Sequence, residues 1–264
     1  MTAAPGRSDR VFITGASSGI GAALAREYAA RGACLGLLAR RRELLDDLLA
    51  SLPHPERHRI YAADVTDRQA VAAAAADFIA ANGGADIVIA SAGISQGTLT
   101  DRSGDLEVFD AVFATNVNAT VATFAPFIAT MRSQHGPRRL VGIGSVAGVR
   151  GMRGAGAYCA SKAAVRSYCE SLRLDLRSSG IKVVTIAPGY IDTPMTRQNR
   201  FPMPFLMPVA RFAVQAADTI ARGSSYRVLP WQMGVVAKLL RLMPNSLFDF
   251  AFSRAPTKQG QGQA

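Results

Sequence analysis

Short runs of apolar residues alternate along this chain with longer stretches in which apolar residues recur at helical spacing. The apolar runs cover residues 11–13, 34–39, 59–63, 87–90, 139–144, 182–187 and 226–229. The helical stretches cover residues 19–31, 41–52, 67–82, 106–133 and 157–178. Continuously apolar strands separated by helices are typical of a parallel sheet covered on both faces. The pattern therefore predicts an α/β fold, with a doubly wound sheet of about seven parallel strands and right-handed crossovers.

The composition is that of a globular protein, because 49% of the 264 residues are hydrophobic and 19% are charged. No linker, repeat or compositional break occurs before residue 190, so we expect residues 1–264 to form one domain. No apolar run reaches the roughly 18 residues of a membrane span, and the first ten residues show no secretory signal. The polar, Gln- and Gly-rich residues 256–264 are expected to be a flexible tail.

The net charge of +11 raises nucleic acid as a partner, and 26 of the 30 basic residues are arginine. The charges are spread, however, and the longest basic run is residues 40–42. We therefore expect no nucleic-acid partner. The cysteines at positions 34, 159 and 169 lack CxxC spacing, which predicts neither a disulfide framework nor a metal site and favours a cytoplasmic location.

A glycine-rich turn joins the first strand to the first helix. Gly15, Gly19 and Gly21 let the backbone turn tightly and approach a pyrophosphate, and the helix N-terminus supplies free N–H groups. Ser17 and Ser18 add hydroxyl donors. Glycine-rich turns also occur for structural reasons, but a turn between a strand and a helix at this place predicts a dinucleotide-phosphate site.

The end of the second strand indicates which dinucleotide binds. NAD-selective proteins usually place an acidic residue here to bind the ribose 2′-OH, and this chain has Ala39. Arg40 follows and can bind a 2′-phosphate through charge-assisted hydrogen bonds, with Arg41 as a second candidate. The alternative is that they begin a solvated helix. We predict NADP as the cofactor, with NAD as the alternative.

Tyr158 and Lys162 are four residues apart at the start of a predicted helix, so they share one face. A neighbouring ammonium lowers the pKa of a phenol, and such a pair can act as a general acid or base. Ser145 follows the fifth strand and can donate a hydrogen bond to a substrate carbonyl. Asn116 lies inside a predicted helix, where its amide can kink the helix or hold a water; otherwise it is an ordinary polar residue.

As a set, these motifs resemble the short-chain dehydrogenase/reductase family over about residues 9–195. The motifs in chain order are TGASSGIG from residue 14, Asp64-Val65, Ser91-Ala92-Gly93, Asn116, Ser145, Tyr158-x3-Lys162 and Pro188-Gly189-Tyr190-Ile191-Asp192-Thr193. The resemblance implies a Rossmann fold, NAD(P)-dependent oxidoreductase activity, and a homodimer or homotetramer formed through the helices that contain Asn116 and Tyr158.

The resemblance also implies a role for each catalytic residue. Tyr158 is the proton donor and acceptor, Lys162 lowers its pKa and holds the nicotinamide ribose, Ser145 orients the substrate oxygen, and Asn116 anchors a relay water. The implied cofactor-binding residues are Gly15, Ser17, Ser18, Gly19, Ile20, Gly21, Arg40, Arg41, Asp64, Val65, Ser91, Ala92, Gly93, Tyr158, Lys162, Pro188, Gly189, Ile191 and Thr193. Ser91 departs from the asparagine usual in the family, and we expect that change to affect stability rather than activity.

The expected activity is hydride transfer between NADP(H) and a carbonyl or alcohol, with Tyr158 as general acid/base. The alternative is a non-catalytic NADP-binding regulatory protein. Residues 194–255 are expected to form a substrate lid followed by a basic amphipathic region. Its Met- and Phe-rich part, residues 194–208, suits a hydrophobic small-molecule substrate, although core or subunit packing explains it equally well.

The end of the chain is strongly basic. Residues 195–264 hold nine Lys/Arg and two Asp/Glu, which is +7 of the net +11. Five apolar residues recur at helical spacing, with Gly234, Lys238 and Arg241 expected on the opposite side; the five are Trp231, Val235, Leu239, Leu242 and Met243. Such a stretch can lie on an acidic membrane surface as a peripheral contact, or pack on its own domain or on a partner subunit. These alternatives stay open from the sequence.

Overall fold

A computed structural model describes residues 8–199 and 201–253 of the chain. Its central feature is a parallel sheet of seven strands in the order β3-β2-β1-β4-β5-β6-β9. The strands are β1 Arg10–Thr14, β2 Cys34–Ala39, β3 Arg59–Ala62, β4 Ile87–Ala90, β5 Arg139–Ile143, β6 Lys182–Pro188 and β9 Tyr226–Leu229. Two short strands, β7 Ile191–Asp192 and β8 Met207–Pro208, pair separately. The predicted doubly wound α/β sheet is confirmed.

Helices connect the strands and cover both faces of the sheet. They are α1 Gly19–Ala30, α2 Arg42–Ala50, α3 Arg68–Asn82, α4 Asp105–Phe113, α5 Ala119–Ser133, α6 Gly156–Asp175, α7 Pro194–Arg197, α8 Val209–Arg222, α9 Trp231–Leu242 and α10 Asn245–Phe252. The predicted helix over residues 157–178 ends earlier than expected, because a separate 3-10 turn occupies residues 177–179.

Alternating side chains of each strand enter two separate cores. Val11 and Ile13 of β1 face a core shared with α1 and α8, whereas Phe12 faces the core formed with α3, α5 and α6. All three side chains are fully buried. Both faces of the strand are therefore apolar, which explains why β1 has no polar alternation.

The sheet order reverses between β1 and β4, because the chain runs outward from β1 through β2 to β3 and then returns to β4. In open α/β sheets, ligands bind at such a reversal, beyond the carboxyl ends of the strands. The glycine-rich turn after β1 and the residues after β4 lie at this position. The topology thus defines where a ligand site is expected.

The predicted helix over residues 106–133 is interrupted by a π-helical turn, Ala114–Asn118, between α4 and α5. The whole helical stretch, Asp105–Ser133, is long and apolar enough to cross a membrane by length and composition. Its inward side packs on the sheet, where Phe124, Phe127 and Met131 are fully buried. Packing in the core therefore accounts for this apolar face.

The region after β7 only partly fits the predicted lid. Met207 packs into a core, whereas Phe205 and Leu206 are exposed. Phe201 contacts the ring of Tyr190 at a centroid distance of 6.2 Å. The predicted tail, residues 256–264, and the last two residues of the 194–255 region lie outside the described residues.

Candidate active site

The glycine turn after β1 is packed so tightly that two of its glycines have no room for a side chain. Gly15 has a φ of +70°, and a Cβ on it would lie 2.6 Å from the Cα of Ala92. A Cβ on Gly21 would lie 2.2 Å from the carbonyl oxygen of Gly15. Ser18, in extended conformation, precedes α1 and leaves the first N–H groups of that helix facing the turn. Such a bare-backbone turn at a helix N-terminus fits the pyrophosphate of a dinucleotide.

A cavity of about 260 Å³ extends from this turn to Tyr158 and Lys162. Every residue expected to bind the cofactor lines it, and so does Ser145. Thr193 closes one side, since its Cβ lies 3.6 Å from where a Cβ on Gly19 would stand. The sheet edge therefore brings the predicted phosphate, adenine and catalytic residues to one continuous groove, which fits an elongated dinucleotide.

The two arginines after β2 take different positions. Arg41 Nη2 donates hydrogen bonds to Ser17 Oγ at 3.2 Å and to Ser18 Oγ at 3.1 Å. The Arg40 side chain is 70% exposed, and its Nη1 lies 3.7 Å from Asp64 Oδ2. Arg41 is thus held at the glycine turn, whereas Arg40 points towards the carboxylate that the resemblance assigns to adenine.

Tyr158 is held near the start of α6 by residues from two other loops. Thr98 Oγ1 accepts a hydrogen bond from Ala157 N at 3.2 Å, which caps this end of the helix. Ser145 is hydrogen-bonded to the Tyr158 side chain, and Ser145 Oγ also accepts from Ala147 N at 3.1 Å. Burial raises the pKa of the Tyr158 phenol, and the hydrogen bond with Ser145 opposes that rise.

Lys162 is buried, with 6% of its surface exposed. Its Nζ donates to the carbonyl oxygen of Ile143 at 2.9 Å and lies 5.9 Å from the centre of the Tyr158 ring. Burial lowers the pKa of the Lys162 ammonium to about 8. The pKa of Tyr158 is thus raised rather than lowered as its pairing with Lys162 predicts, because burial is the largest influence on the phenol.

Asn116 lies in the π-helical turn, Ala114–Asn118. The N–H of the next residue, Ala119, donates a hydrogen bond to the carbonyl oxygen of Ala114. Its side chain forms a two-way hydrogen bond with the backbone of Ile94: Oδ1 accepts from Ile94 N at 2.8 Å, and Nδ2 donates to Ile94 O at 3.0 Å. Nδ2 also donates to Ser161 Oγ at 2.9 Å. The predicted helix is therefore interrupted at Asn116 by a π-helical turn. Asn116 lies behind the cavity wall, 1% exposed, and joins the loop after β4 to the helix that carries Tyr158.

Some site residues had no sequence signal. The carbonyl of Ile143 and the backbone of Ile94 act through atoms that every residue has, so no residue type could indicate them. Ser161 is fully buried between Asn116 and the carbonyl of Tyr158. The sequence indicates it only through its position between Tyr158 and Lys162. Of the predicted lid's described residues, Pro194, Met195 and Thr196 reach the cavity.

The sequence profile of the short chain dehydrogenase family matches residues 9–203. A protein of Myxococcus xanthus named as an uncharacterized oxidoreductase is 36% identical over 247 residues, covering 92% of this chain and 96% of its own length. A short-chain dehydrogenase from Streptomyces avermitilis superimposes with a TM-score of 0.79 at 25% identity, covering 88% of this chain and 92% of that one. A Burkholderia phymatum short chain dehydrogenase/reductase in complex with NAD also gives 0.79, at 23% identity, covering 96% and 97%.

Proposed function

Because the chain belongs to the short-chain dehydrogenase family, we propose that it is an NADP(H)-dependent oxidoreductase that interconverts a carbonyl and an alcohol on a hydrophobic small molecule. One observation carries this proposal. The hydrogen-bonded pair of Ser145 and Tyr158 stands at one end of a groove whose other end is the bare glycine turn at the N-terminus of α1. A proton donor and a dinucleotide-phosphate site thus share one cavity.

When bound, the nicotinamide cofactor gives or takes the hydride. The chain itself moves the proton. In reduction, Tyr158 Oη donates its proton to the substrate oxygen while Ser145 Oγ donates a hydrogen bond to the same oxygen. The raised pKa of Tyr158 keeps the phenol protonated at neutral pH, which suits the reducing direction. Lys162, with a pKa of about 8, is mostly protonated there, and its charge favours the phenolate left behind.

The NADP preference rests on Arg41. Its guanidinium is held by Ser17 and Ser18 beside the glycine turn. No acidic residue ends β2, where a ribose 2′-OH would be bound in an NAD-selective protein. A planar guanidinium in this place can form two bonds to a phosphate. Arg41 is therefore proposed as the principal 2′-phosphate residue and Arg40 as a weaker second one.

The hydrophobic substrate is proposed from the apolar walls of the cavity. Ile94 and Met195 line the same cavity as Tyr158, and the Met195 thioether adapts to irregular ligands. Subunit contacts are proposed through the helices that the resemblance indicates. Leu106, Phe109 and Val121 on α4 and α5 are exposed, which suits a homodimer or homotetramer formed through these helices.

NADPH oxidation across a panel of apolar ketones and aldehydes tests the activity. Tyr158→Phe should reduce turnover by about 10²–10⁴-fold, since it removes the acid but keeps the ring. NADPH binding, followed by cofactor fluorescence, should be retained. Tyr168→Phe, on the same helix but stacked on Phe124 away from the cavity, is the matched control and should keep its activity. Turnover by Tyr158→Phe near the unaltered rate would contradict the assignment, and NADPH binding without turnover of any carbonyl would favour the regulatory alternative.

Dissociation constants for NADPH and NADH test the cofactor preference. Arg41→Ala should weaken NADPH binding by about 10–100-fold, the range expected for loss of charge-assisted bonds, and leave NADH binding nearly unchanged. Arg42→Ala is the control, because Arg42 is paired with Asp46 on the surface of α2. Equal loss of both cofactors in Arg41→Ala would show that this arginine does not read the 2′-phosphate.

A further inference from the structure

Helices α9 and α10 expose a stripe of large apolar side chains. Trp231, Val235, Leu239 and Leu242 recur along one side of α9 and are 47–80% exposed. Leu247 and Phe250 on the following helix, α10, are 53% and 85% exposed. These six residues are called the C-terminal apolar face. A group of exposed large apolar side chains marks an interaction surface more often than an isolated exposed leucine does.

The C-terminal apolar face is not the side by which α9 docks on its own domain. That docking uses Met233 and Ala237, which are 5% and 6% exposed. Met233 packs so closely on Gly189 that a Cβ there would lie 2.6 Å from Met233 Cγ. Helix α9 therefore docks on its own domain, as one alternative predicts, while Trp231, Val235 and Leu239 stay 47–64% exposed in the described part of the chain.

Basic side chains border the C-terminal apolar face. The sequence of α9 has no Asp or Glu, and Lys238 and Arg241 lie exposed beside the stripe. Between α6, β9 and α9 lies a groove of about 470 Å³ lined by Arg166, Arg227, Lys238 and Arg241. Within the described residues, Glu170 is the carboxylate lining it. The groove and its surroundings therefore carry an excess of positive charge next to apolar tips.

Two occupants fit an apolar face, a second copy of the chain or a lipid surface, and the charge separates them. A two-fold dimer pairs a patch with itself, so it would bring Lys238, Arg241 and Arg227 of one copy towards the same cations of the other. An anionic bilayer instead offers negative headgroups to the cations and an acyl boundary to the apolar tips. We propose that the C-terminal apolar face and its basic border dock this protein on an anionic phospholipid bilayer.

The sequence contains a single tryptophan, Trp231, at the start of this face and 64% exposed. Its emission therefore reports directly on the proposed contact in the full-length protein. Vesicles of phosphatidylcholine mixed in equal parts with phosphatidylglycerol should shift the emission to shorter wavelength and carry the protein upwards in a flotation gradient. Vesicles of phosphatidylcholine alone should do neither, and added salt should reverse the binding, because charge attraction supplies much of the affinity.

Two pairs of variants separate the apolar and charged contributions. Lys238→Glu with Arg241→Glu should weaken vesicle binding by at least about tenfold, whereas Arg211→Glu, an exposed arginine on α8, should change it little. Val235→Ser with Leu239→Ser should remove flotation. Val214→Ser is the control, since Val214 is 43% exposed against 47% for Val235. Circular dichroism of each variant checks that the fold is kept.

Specific outcomes would overturn the proposal. Protein that stays at the bottom of the gradient with anionic vesicles, or binding that is equal for all the variants, excludes this face as a lipid contact. A blue shift that develops without vesicles as protein concentration rises, together with a larger mass in sedimentation, would show that a second copy covers the face instead.

Discussion

The seven-stranded sheet and the two C-terminal helices use apolar residues in opposite ways. In the sheet, the large side chains of β1 and β2 are fully enclosed, and even a polar residue such as Thr14 is 0% exposed. In α9 and α10, Met233, Ala237 and Phe248 are buried, and most of the other large apolar side chains face outwards. The sheet and the helices around it are therefore stabilised by their own packing. Helices α9 and α10 bury few apolar side chains against the domain and leave the others exposed.

Besides the packing of Met233 and Ala237 on the domain, one arginine of the loop between β5 and α6 links these two regions. Arg150 lies between Ser145 and Tyr158 in sequence, and its Nη1 donates to the carbonyls of Leu240 and Met243, each at 2.6 Å. Its guanidinium also lies 3.8 Å above the ring of Phe248. We therefore expect substitutions in the sheet core to lower the stability of the whole molecule. Substitutions at Arg150 should lower the stability of α9 and α10 alone.

The largest effect on stability is expected at the buried ion pair between Arg10 and Asp86. Arg10 Nε and Nη2 bond to the two oxygens of Asp86 at 2.9 and 2.8 Å, with side-chain exposures of 10% and 4%. Arg10→Ala leaves a buried carboxylate without this partner, so we expect the free energy of unfolding to fall by about 3–5 kcal/mol, measured by urea denaturation. Arg59→Ala breaks the half-exposed pair with Asp77 and should lower it by under about 1 kcal/mol. Equal losses in the two variants would contradict this ranking.

Arg10 also illustrates the limit of prediction from sequence. The strand pattern predicted β1 because Val11, Phe12 and Ile13 form an apolar run that both cores need. The same pattern left Arg10 outside the strand, and nothing in it indicates that Asp86, far along the chain, lies opposite. Periodicity reports on the faces of one element, whereas an ion pair between elements depends on their packing.

In the candidate site, too, residue types at a fixed spacing could be predicted, whereas properties that depend on packing could not. The placing of Gly15, Tyr158 and Lys162 at one cavity could be predicted, because their residue types and spacing are those that a dinucleotide turn and an acid–base pair require. The direction of the Tyr158 pKa could not, since it depends on how deeply the phenol is buried and on where the Lys162 amine points. For α9, helical spacing indicated an apolar face but could not tell whether that face is covered.

A second, smaller effect is expected from the buried amine of Lys162 and depends on pH. Its pKa falls from 10.5 to about 8 on folding, so between these values the unfolded chain holds a proton that the folded protein lacks, and stability rises with pH. Below pH 8 both forms are charged, and burial of the charge destabilises the folded protein by about 3 kcal/mol.

Lys162→Met removes this pH-dependent penalty but leaves the Ile143 carbonyl without its partner, which offsets part of the gain. We expect the variant to be inactive yet more stable than the unaltered protein at pH 7, with the advantage shrinking by up to about 3 kcal/mol as the pH passes 10. Thermal unfolding across this pH range measures it. A difference between the two proteins that does not vary with pH would show that Lys162 is not buried as a charged group.

The smallest effect is expected at the joint between the two regions. Arg150→Ala removes the bonds to the carbonyls of Leu240 and Met243 and the contact with Phe248, so we expect α9 and α10 to lose about 1–2 kcal/mol of local stability. Hydrogen exchange should quicken at amides of α9 and α10 and stay unchanged in β1 and β4, because those strands do not rely on this contact. Arg150→Lys keeps the charge but cannot reach both carbonyls and Phe248 in a fixed plane, so it should resemble Arg150→Ala. Uniform acceleration across the sheet would instead mean that the C-terminal helices unfold together with the whole domain.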